Sequence, residues 1–169
     1  MSRDPAVDAL LAKDEIRTVL MRLARGTDRR DEELIRSCYH PDGFDDHGGY
    51  RGAPAGFAAW VPKTLAMFEA TMHVLGNVSI ELDGDVAHCE TYCTAHHVFP
   101  PEDPGGARDS VMGLRYLDRF ERREGAGWRI ARRVCAFDYT YIVPIAERWP
   151  LEPPFIRGRP GPDDPSYER

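Results

Sequence analysis

The 169-residue sequence contains no apolar run long enough to cross a membrane and no excess of positive charge. A membrane-spanning helix takes roughly 20 apolar residues. The N-terminal stretch MSRDPAVDALLAKDE is interrupted by charges, which the apolar region of a signal peptide excludes. The formal net charge is −6, whereas nucleic acids and anionic membranes attract basic surfaces. We therefore expect a cytoplasmic protein that binds neither nucleic acid nor membranes.

Cysteine pairs and cofactor motifs are also missing. The four cysteines form no C-x-x-C pair, although Cys89 and Cys93 would share one face of a strand. That spacing allows a zinc site, but buried thiols that pack as small hydrophobic groups are the more ordinary use of such cysteines. The sequence therefore predicts a protein that works without a cofactor and without a metal.

The first half of the sequence is predicted to be helical. Residues 6–27 place apolar side chains at helical spacing. Asp31 is a suitable N-cap for a short helix through Tyr39. Residues 54–71 give the third helical pattern, with Pro62 as a kink or a restart inside it.

The second half changes to the two-residue period of strands. Such strands are predicted at 78–82, 85–99, 110–122 and 128–143, with hairpin turns between them. Long strands joined by hairpins form an antiparallel, strongly curved sheet. The pattern predicts an α+β fold: a cone-shaped barrel in which three N-terminal helices pack on a strongly curved, mostly antiparallel β-sheet. Such a cone encloses a pocket suited to a small, largely apolar ligand.

The chain divides into a folded part and a tail. We assign residues 1–148 to the α+β cone domain and the Pro/Gly-rich residues 149–169 to a C-terminal tail without regular structure. Phe155 and Ile156 are its apolar exceptions, and we expect them to anchor the tail across the domain or across a neighbouring subunit.

Two residues break the local pattern in a way that suggests chemistry. Asp28 continues the apolar ladder of the first helix and lies near its C-terminus, where the helix dipole disfavours a carboxylate. His73 follows the third helix. Considered alone, Asp28 fits a solvent-exposed turn, and His73 fits a core histidine that is hydrogen-bonded to a backbone carbonyl. Together they predict a general base, because a carboxylate orients the imidazole and stabilises its charged form.

Three further basic residues on the predicted strands are candidates for the site. Arg133 lies on a largely apolar face and needs an anionic partner, either Asp28, Asp138 or another carboxylate in a structural pair, or a leaving group or oxyanion during catalysis. His96 and His97 are adjacent, so only one can face the pocket. Strand alternation favours His97, unless a bulge reverses the choice.

The segment DDHGGY gathers several polar side chains within one glycine-broken turn, namely Asp45, Asp46, His47 and Tyr50. These groups could supply a metal ligand or a hydroxyl donor. Spacing within a single turn is a weak indication of a metal site.

Four segments, GTDRRD, FDDHGGYRG, TMHVLGN and DRFERREGAGWRIARR, occur in an order and spacing that resemble a known family. The chain is similar over residues 8–145 to the SnoaL-like branch of the nuclear-transport-factor-like superfamily. Within it, scytalone dehydratase and hexachlorocyclohexane dehydrochlorinase are the enzymes it resembles. The resemblance implies a cone-shaped α+β barrel that assembles as a homotrimer.

The resemblance also implies roles for individual residues. The catalytic aspartate falls on Asp28 and the catalytic histidine on His73, while an arginine that assists the leaving group falls on Arg133. A second pocket histidine falls on His96 by register, which conflicts with the alternation that favours His97, so both stay open. A substrate-positioning tyrosine falls on Tyr50.

Departures from the family pattern bear on the reaction. Thr27 stands where the dehydratase has a tyrosine, and Leu23 where ketosteroid isomerases have their oxyanion donor, which disfavours isomerisation.

The sequence thus predicts a cofactor-free lyase that removes a carbon-bound proton from a small, largely apolar cyclic or aromatic substrate. The catalytic set is Asp28, His73 and Arg133, and the substrate-binding set is Tyr50, Trp60, His96, His97 and Tyr116. One alternative is an isomerase or cyclase with the same base and Tyr116 or Tyr92 as oxyanion donor. The other is a non-catalytic ligand carrier or structural subunit of the same fold.

Overall fold

The computed structural model describes residues 4–168, in which three α-helices precede the long strands of one sheet. The elements are α1 (Pro5–Arg29), α2 (Glu32–Ser37), β1 (Tyr39–Asp46), β2 (Arg51–Gly52), α3 (Pro54–Leu65), β3 (Ala70–Asp83), β4 (Val86–Phe99), β5 (Arg108–Arg123) and β6 (Gly127–Pro144). A 3₁₀ turn at Pro165–Tyr167 lies in the tail. No helix within residues 4–168 is both long and apolar enough to cross a membrane.

The six strands form one mixed sheet in the order β2-β1-β6-β5-β4-β3. Only the β1–β6 pair is parallel among the strand pairs of residues 4–168. The sheet stays open, with β2 and β3 at its edges. The predicted fold class is confirmed: an α+β fold with three helices packed on a curved, mostly antiparallel sheet.

The core lies between the helices and one face of the sheet. Ile16, Leu20 and Leu23 recur along α1 at helical spacing and are buried against Phe57 of α3 and Phe120 of β5. Full burial of each such side chain stabilises the fold by roughly 1.5–3 kcal/mol. This packing fixes α1 against the sheet and therefore fixes where its last turn ends.

The end of α1 is tied to the segment before β3. Arg30 closes the helix in the left-handed conformation, with φ of 55°, and its backbone N–H donates to the carbonyls of Gly26 and Thr27. Its guanidinium donates to the carbonyl of Phe68 at 2.8 Å. Asp28, in the last turn, is thereby held beside the start of β3.

The third helix is shorter, and the third strand longer, than the sequence predicted. Helix α3 ends at Leu65 rather than residue 71, and a turn closes where the Phe68 N–H donates to the Leu65 carbonyl at 3.1 Å. Strand β3 already begins at Ala70. His73 therefore lies within an edge strand and not at the junction between a helix and a strand.

The tail folds back on the end of α1 through polar groups. The Gly161 N–H donates to the Arg29 carbonyl at 2.7 Å, and the Arg29 guanidinium lies 3.3 Å from the Asp164 carboxylate. Phe155 and Ile156 remain exposed, Ile156 at 83%, so neither anchors the tail across the domain as the sequence suggested. Ion pairs hold the tail where apolar anchors were expected.

Candidate active site

Asp28 and His73 form a hydrogen-bonded pair. The Asp28 carboxylate accepts from His73 Nδ1 at 2.7 Å, and their side chains are only 14% and 8% exposed. The same carboxylate accepts from the backbone N–H of His73 at 3.0 Å and from the Thr71 hydroxyl at 3.1 Å. Three donors from β3 thus offset the unfavourable position of a carboxylate at a helix C-terminus.

The pair fixes the state of the imidazole. A carboxylate can only accept, so the neutral ring carries its proton on Nδ1, and Nε2 keeps a free lone pair. The backbone bond and the Thr71 bond hold the carboxylate in place, and the carboxylate holds the ring. The arrangement suits a base that takes a proton through Nε2.

His73 lines a cavity of about 340 Å³ between the helices and the sheet. Its walls are mostly apolar, with a few polar groups, and come from the end of α1, the turn after β1, α3 and the strands β3 to β6. The lining residues are Thr27, His47, Gly48, Gly49, Phe57, Trp60, Val61, Thr64, Leu65, Phe68, His73, Ala95, His97, Met112, Leu114, Tyr116 and Phe137. A cavity of this size and lining suits a small, largely apolar molecule.

His97 is the neighbour of His73 in this cavity. The two rings meet edge to face at 5.6 Å between centroids. His97 Nδ1 is buried and finds no hydrogen-bond partner among residues 4–168. Burial, followed by the charge of His73, lowers the pKa of His97 to about 4. The His97 side chain therefore lines the cavity and is neutral near pH 7.

The neutral state of His97 predicts a pH dependence of stability. Its pKa is lower in the folded chain than in the unfolded chain, so the unfolded state binds more protons between about pH 6.5 and 4, and stability falls as pH falls through that window. The loss is up to about 3 kcal/mol. Urea unfolding at pH 7 and pH 4.5 should show a smaller loss for His97→Asn than for the wild type.

The exposed His88 supplies the control for this measurement. His88→Asn should keep the full wild-type loss of stability on acidification. Equal losses in His97→Asn and the wild type would contradict the neutral, buried state of His97.

The remaining residues of the predicted binding set are divided between the cavity and the outside. Trp60 and Tyr116 line the cavity, and burial holds the pKa of Tyr116 well above its ordinary value, so that it stays a neutral phenol. Tyr50 packs between Phe57 and Trp60, but its hydroxyl donates to the Ala53 carbonyl at 2.7 Å and does not line the cavity.

The two adjacent histidines lie on opposite faces of β4. His97 faces the cavity, whereas His96 is outside it, where Nδ1 is 2.7 Å from the Asp109 carboxylate. The placement follows strand alternation and differs from the register that the family resemblance implied for His96. The Asp109 carboxylate also accepts from the His97 backbone N–H at 3.1 Å, which steadies this part of β4.

Arg133 does not line the cavity but lies against Tyr116, which does, and forms a buried ion pair. Its Nε and Nη2 atoms each donate to the Asp118 carboxylate at 2.7 Å, and its guanidinium lies 3.9 Å from the centre of the Tyr116 ring. Burial lowers the pKa of Arg133, but Asp118 more than offsets this and holds it well above its ordinary value. These contacts fit the structural pair considered from sequence, with Asp118 as the unnamed carboxylate, better than a clamp on a leaving group.

A further carboxylate–imidazole pair was not singled out from the sequence. The fully buried Asp45 carboxylate accepts from His47 Nδ1 at 2.9 Å and from the Tyr39 hydroxyl at 2.6 Å. His47 lines the cavity. The DDHGGY segment contains two aspartates that could bond to His47. Only the structure shows that the partner is Asp45 and not Asp46.

The site residues do not form a cluster of metal ligands. Within residues 4–168, no three or more His, Cys, Asp or Glu side chains are grouped so that they could hold a metal ion. The four cysteines are buried free thiols, and burial raises the pKa of Cys38 and of Cys89 to about 11. Their predicted role as small buried side chains is confirmed.

Known proteins share the sequence pattern of this chain. A family model described as SnoaL-like domain matches residues 8–134, and the chain belongs to this family. An uncharacterized protein of Mycobacterium tuberculosis is 34% identical over 125 residues, which cover 71% of this chain and 81% of that protein. The family assignment made from the sequence is confirmed.

Solved structures share the fold at low sequence identity. The hexachlorocyclohexane dehydrochlorinase LinA-type3 from Novosphingobium barchaimii superposes with a TM-score of 0.73 at 17% identity, over 86% of this chain and 99% of that one. A putative scytalone dehydratase from Novosphingobium aromaticivorans gives 0.69 at 18% identity, over 83% and 97%. The fold is therefore one that structures named as lyases also adopt.

Proposed function

We propose that this protein is a cofactor-free lyase that removes a carbon-bound proton from a small, largely apolar cyclic or aromatic substrate. The observation that carries the proposal is the Asp28–His73 pair at the wall of an apolar cavity of about 340 Å³. The fold similarity to a dehydrochlorinase and a putative dehydratase supports the same reaction class.

The proposed chemistry uses groups already in place. A substrate in the cavity presents a C–H bond to Nε2 of His73, which takes the proton while Asp28 stabilises the imidazolium. The carbanionic charge then expels a leaving group from the neighbouring carbon. Apolar walls exclude water and strengthen each of these electrostatic interactions.

Product analysis tests the proposal. Purified protein is incubated with cyclic ketones that carry a leaving group β to the carbonyl, and formation of the conjugated enone is followed by ultraviolet absorbance. Enzyme-dependent enone formation is the expected result. A product of unchanged mass would favour isomerisation by the same base, with the neutral phenol of Tyr116 as the donor to the enolate oxygen.

The non-catalytic alternative has less support. An Asp28 bonded only to Arg29 or solvent, with His73 turned away, would favour it, whereas Asp28 accepts two hydrogen bonds from His73. A carrier or structural subunit needs a cavity or a surface but no oriented imidazole.

We further propose that three copies assemble through the outer face of the sheet. Large apolar side chains are exposed there on neighbouring strands, which soluble monomers rarely allow over a continuous area. The outer set comprises Met72, Val74, Tyr92, Tyr139 and Tyr141. Sedimentation equilibrium should give three times the chain mass of 19.1 kDa, and Tyr139→Asp should lower that mass. A wild-type mass of one chain would rule the assembly out.

A further inference from the structure

The Asp45–His47 pair stands on the wall of the cavity without a part in proton abstraction. His47 Nδ1 is committed to Asp45 at 2.9 Å, and the ring stacks on Phe57 at 4.6 Å between centroids. Nε2 is therefore the ring nitrogen left for a molecule in the cavity that His47 lines. Two imidazoles, each fixed through Nδ1 by a carboxylate, thus belong to one cavity, His73 from β3 and His47 from just after β1.

The buried carboxylate of Asp45 is the charged group that bonds to the His47 ring. Asp45 and Asp118 are both buried, and Arg133 is the cation beside them. The Nε and Nη2 atoms of Arg133 both donate to Asp118. The hydrogen-bond donors to Asp45 are therefore the neutral Tyr39 hydroxyl and His47. Asp45 therefore orients the His47 ring and stabilises the charged form that a proton donor needs, as Asp28 does for His73.

We propose that His47 is the general acid of the elimination, that it protonates a departing hydroxyl group, and that the substrates of this protein are therefore alcohols that lose water. The inference rests on the proposed function, because it needs His73 to begin the reaction. Hydroxide is a poor leaving group, and protonation as the C–O bond breaks is the usual remedy. Of the other cavity histidines, His97 is neutral near pH 7 and His73 is occupied as the base.

The protons balance across the turnover. The C–H bond breaks and its proton passes to Nε2 of His73, while its electron pair forms the new C=C bond. The C–O bond breaks and its electron pair stays on oxygen, which takes the proton from Nε2 of His47 and leaves as water. His73 is then protonated and His47 neutral, and proton exchange with water after product release restores both.

Two substitutions at position 47 separate catalysis from support of the fold. In His47→Asn, the amide nitrogen takes the place of Nδ1, so Asp45 keeps a donor while the donor to the cavity is lost. In His47→Gln, the amide nitrogen lies near the place of Nε2, so the cavity keeps a hydrogen-bond donor that cannot act as an acid. Thermal unfolding of both variants checks that the fold is retained.

The probes are the β-hydroxy and the β-chloro derivative of one cyclic ketone. They share the C–H bond that His73 attacks, but chloride leaves without a proton. His47→Asn should lower kcat/KM for the β-hydroxy ketone by about 10²-fold or more, and for the β-chloro ketone by less than about threefold. His47→Gln should lower kcat for the β-hydroxy ketone with KM retained. His73→Ala should lower both eliminations.

The outcomes separate this inference from the proposed function. Equal losses on both ketones in His47→Asn would make His47 a supporting residue and overturn the inference, and so would no loss on either. Full activity of His47→Gln on the β-hydroxy ketone would show that His47 binds the substrate but does not act as an acid. If the wild type eliminates neither group, or His73→Ala is as active as wild type, the proposed function fails and the inference falls with it.

Discussion

Replacing His73 with alanine is expected to lower kcat/KM for elimination from a cyclic β-substituted ketone by about 10²–10⁴-fold, because the base that takes the carbon-bound proton is removed. Asp28→Asn should have an effect of similar size although it keeps the shape of the side chain. Steady-state measurement of enone formation gives both values.

The effect of Asp28→Asn follows from the three donors that meet this carboxylate. His73 Nδ1 and the Thr71 hydroxyl meet one oxygen, and the backbone N–H of His73 meets the other. An amide has one accepting and one donating end. Because the backbone N–H can only donate, the amide nitrogen turns towards His73 Nδ1 and forces the ring proton onto Nε2. The lone pair that should accept the substrate proton is then lost, as in other wrong-tautomer variants.

Controls distinguish this loss from general damage. Asp138→Asn removes a carboxylate from an exposed ion pair with Arg115 and should leave kcat/KM unchanged. Thr71→Val removes one of the three bonds to Asp28 and should give a smaller loss than Asp28→Asn. Wild-type activity in both His73→Ala and Asp28→Asn, with the fold retained, would end the lyase proposal.

The second large effect concerns stability. Arg133→Met should lower the free energy of unfolding by about 3–5 kcal/mol, because it leaves the buried Asp118 carboxylate without its cation. The Arg133 side chain is 3% exposed and that of Asp118 is fully buried, so water cannot replace the lost partner. Burial already raises the pKa of Asp118 against the pull of Arg133, and removing Arg133 will raise it further. Urea denaturation gives the value.

An exposed pair between the same two strands provides the comparison. Arg115 makes two bonds of 3.0 Å to Asp138, and because water can replace the lost partner, Arg115→Met should lower the free energy of unfolding much less than Arg133→Met. The double variant Arg133→Met/Asp118→Leu should be more stable than Arg133→Met alone, because no unpaired charge remains. A cost for Arg133→Met no greater than that for Arg115→Met would contradict the account.

Much of the fold could be predicted because its signals are local. The first helix was placed within two residues of each end, since the apolar side chains that define it recur at helical spacing along its own sequence. The strands of the hairpins could be predicted from the alternation of apolar and polar residues and from the glycines in the turns between them. The start of β3 could not be predicted, because Met72 and Val74 are apolar on its outer face while Thr71 and His73 face inward. The two-residue alternation is present there but inverted, with polar side chains inward and apolar ones outward, so it does not indicate a strand with an apolar face towards the core.

The partner of Arg133 depends on a single extra residue. An unbroken hairpin register would place Arg133 of β6 across from Leu117 of β5. An irregularity after Ile130 shifts the register, so that Arg133 lies across from Asp118. Sequence spacing does not reveal where a strand takes up an extra residue. The same limit applies to Asp45, whose place beside Arg133 comes from the parallel pairing of β1 with β6.

The docked tail has a consequence for the order in which the protein matures. Asp28 belongs to a helix made early in synthesis, yet the carbonyl of its neighbour Arg29 is held by Gly161, and the Arg29 guanidinium by Asp164. These bonds can form only after the last strand has left the ribosome. The contacts that hold the end of α1, next to the carboxylate that orients the base, are therefore completed only after residues 161 and 164 have been synthesised.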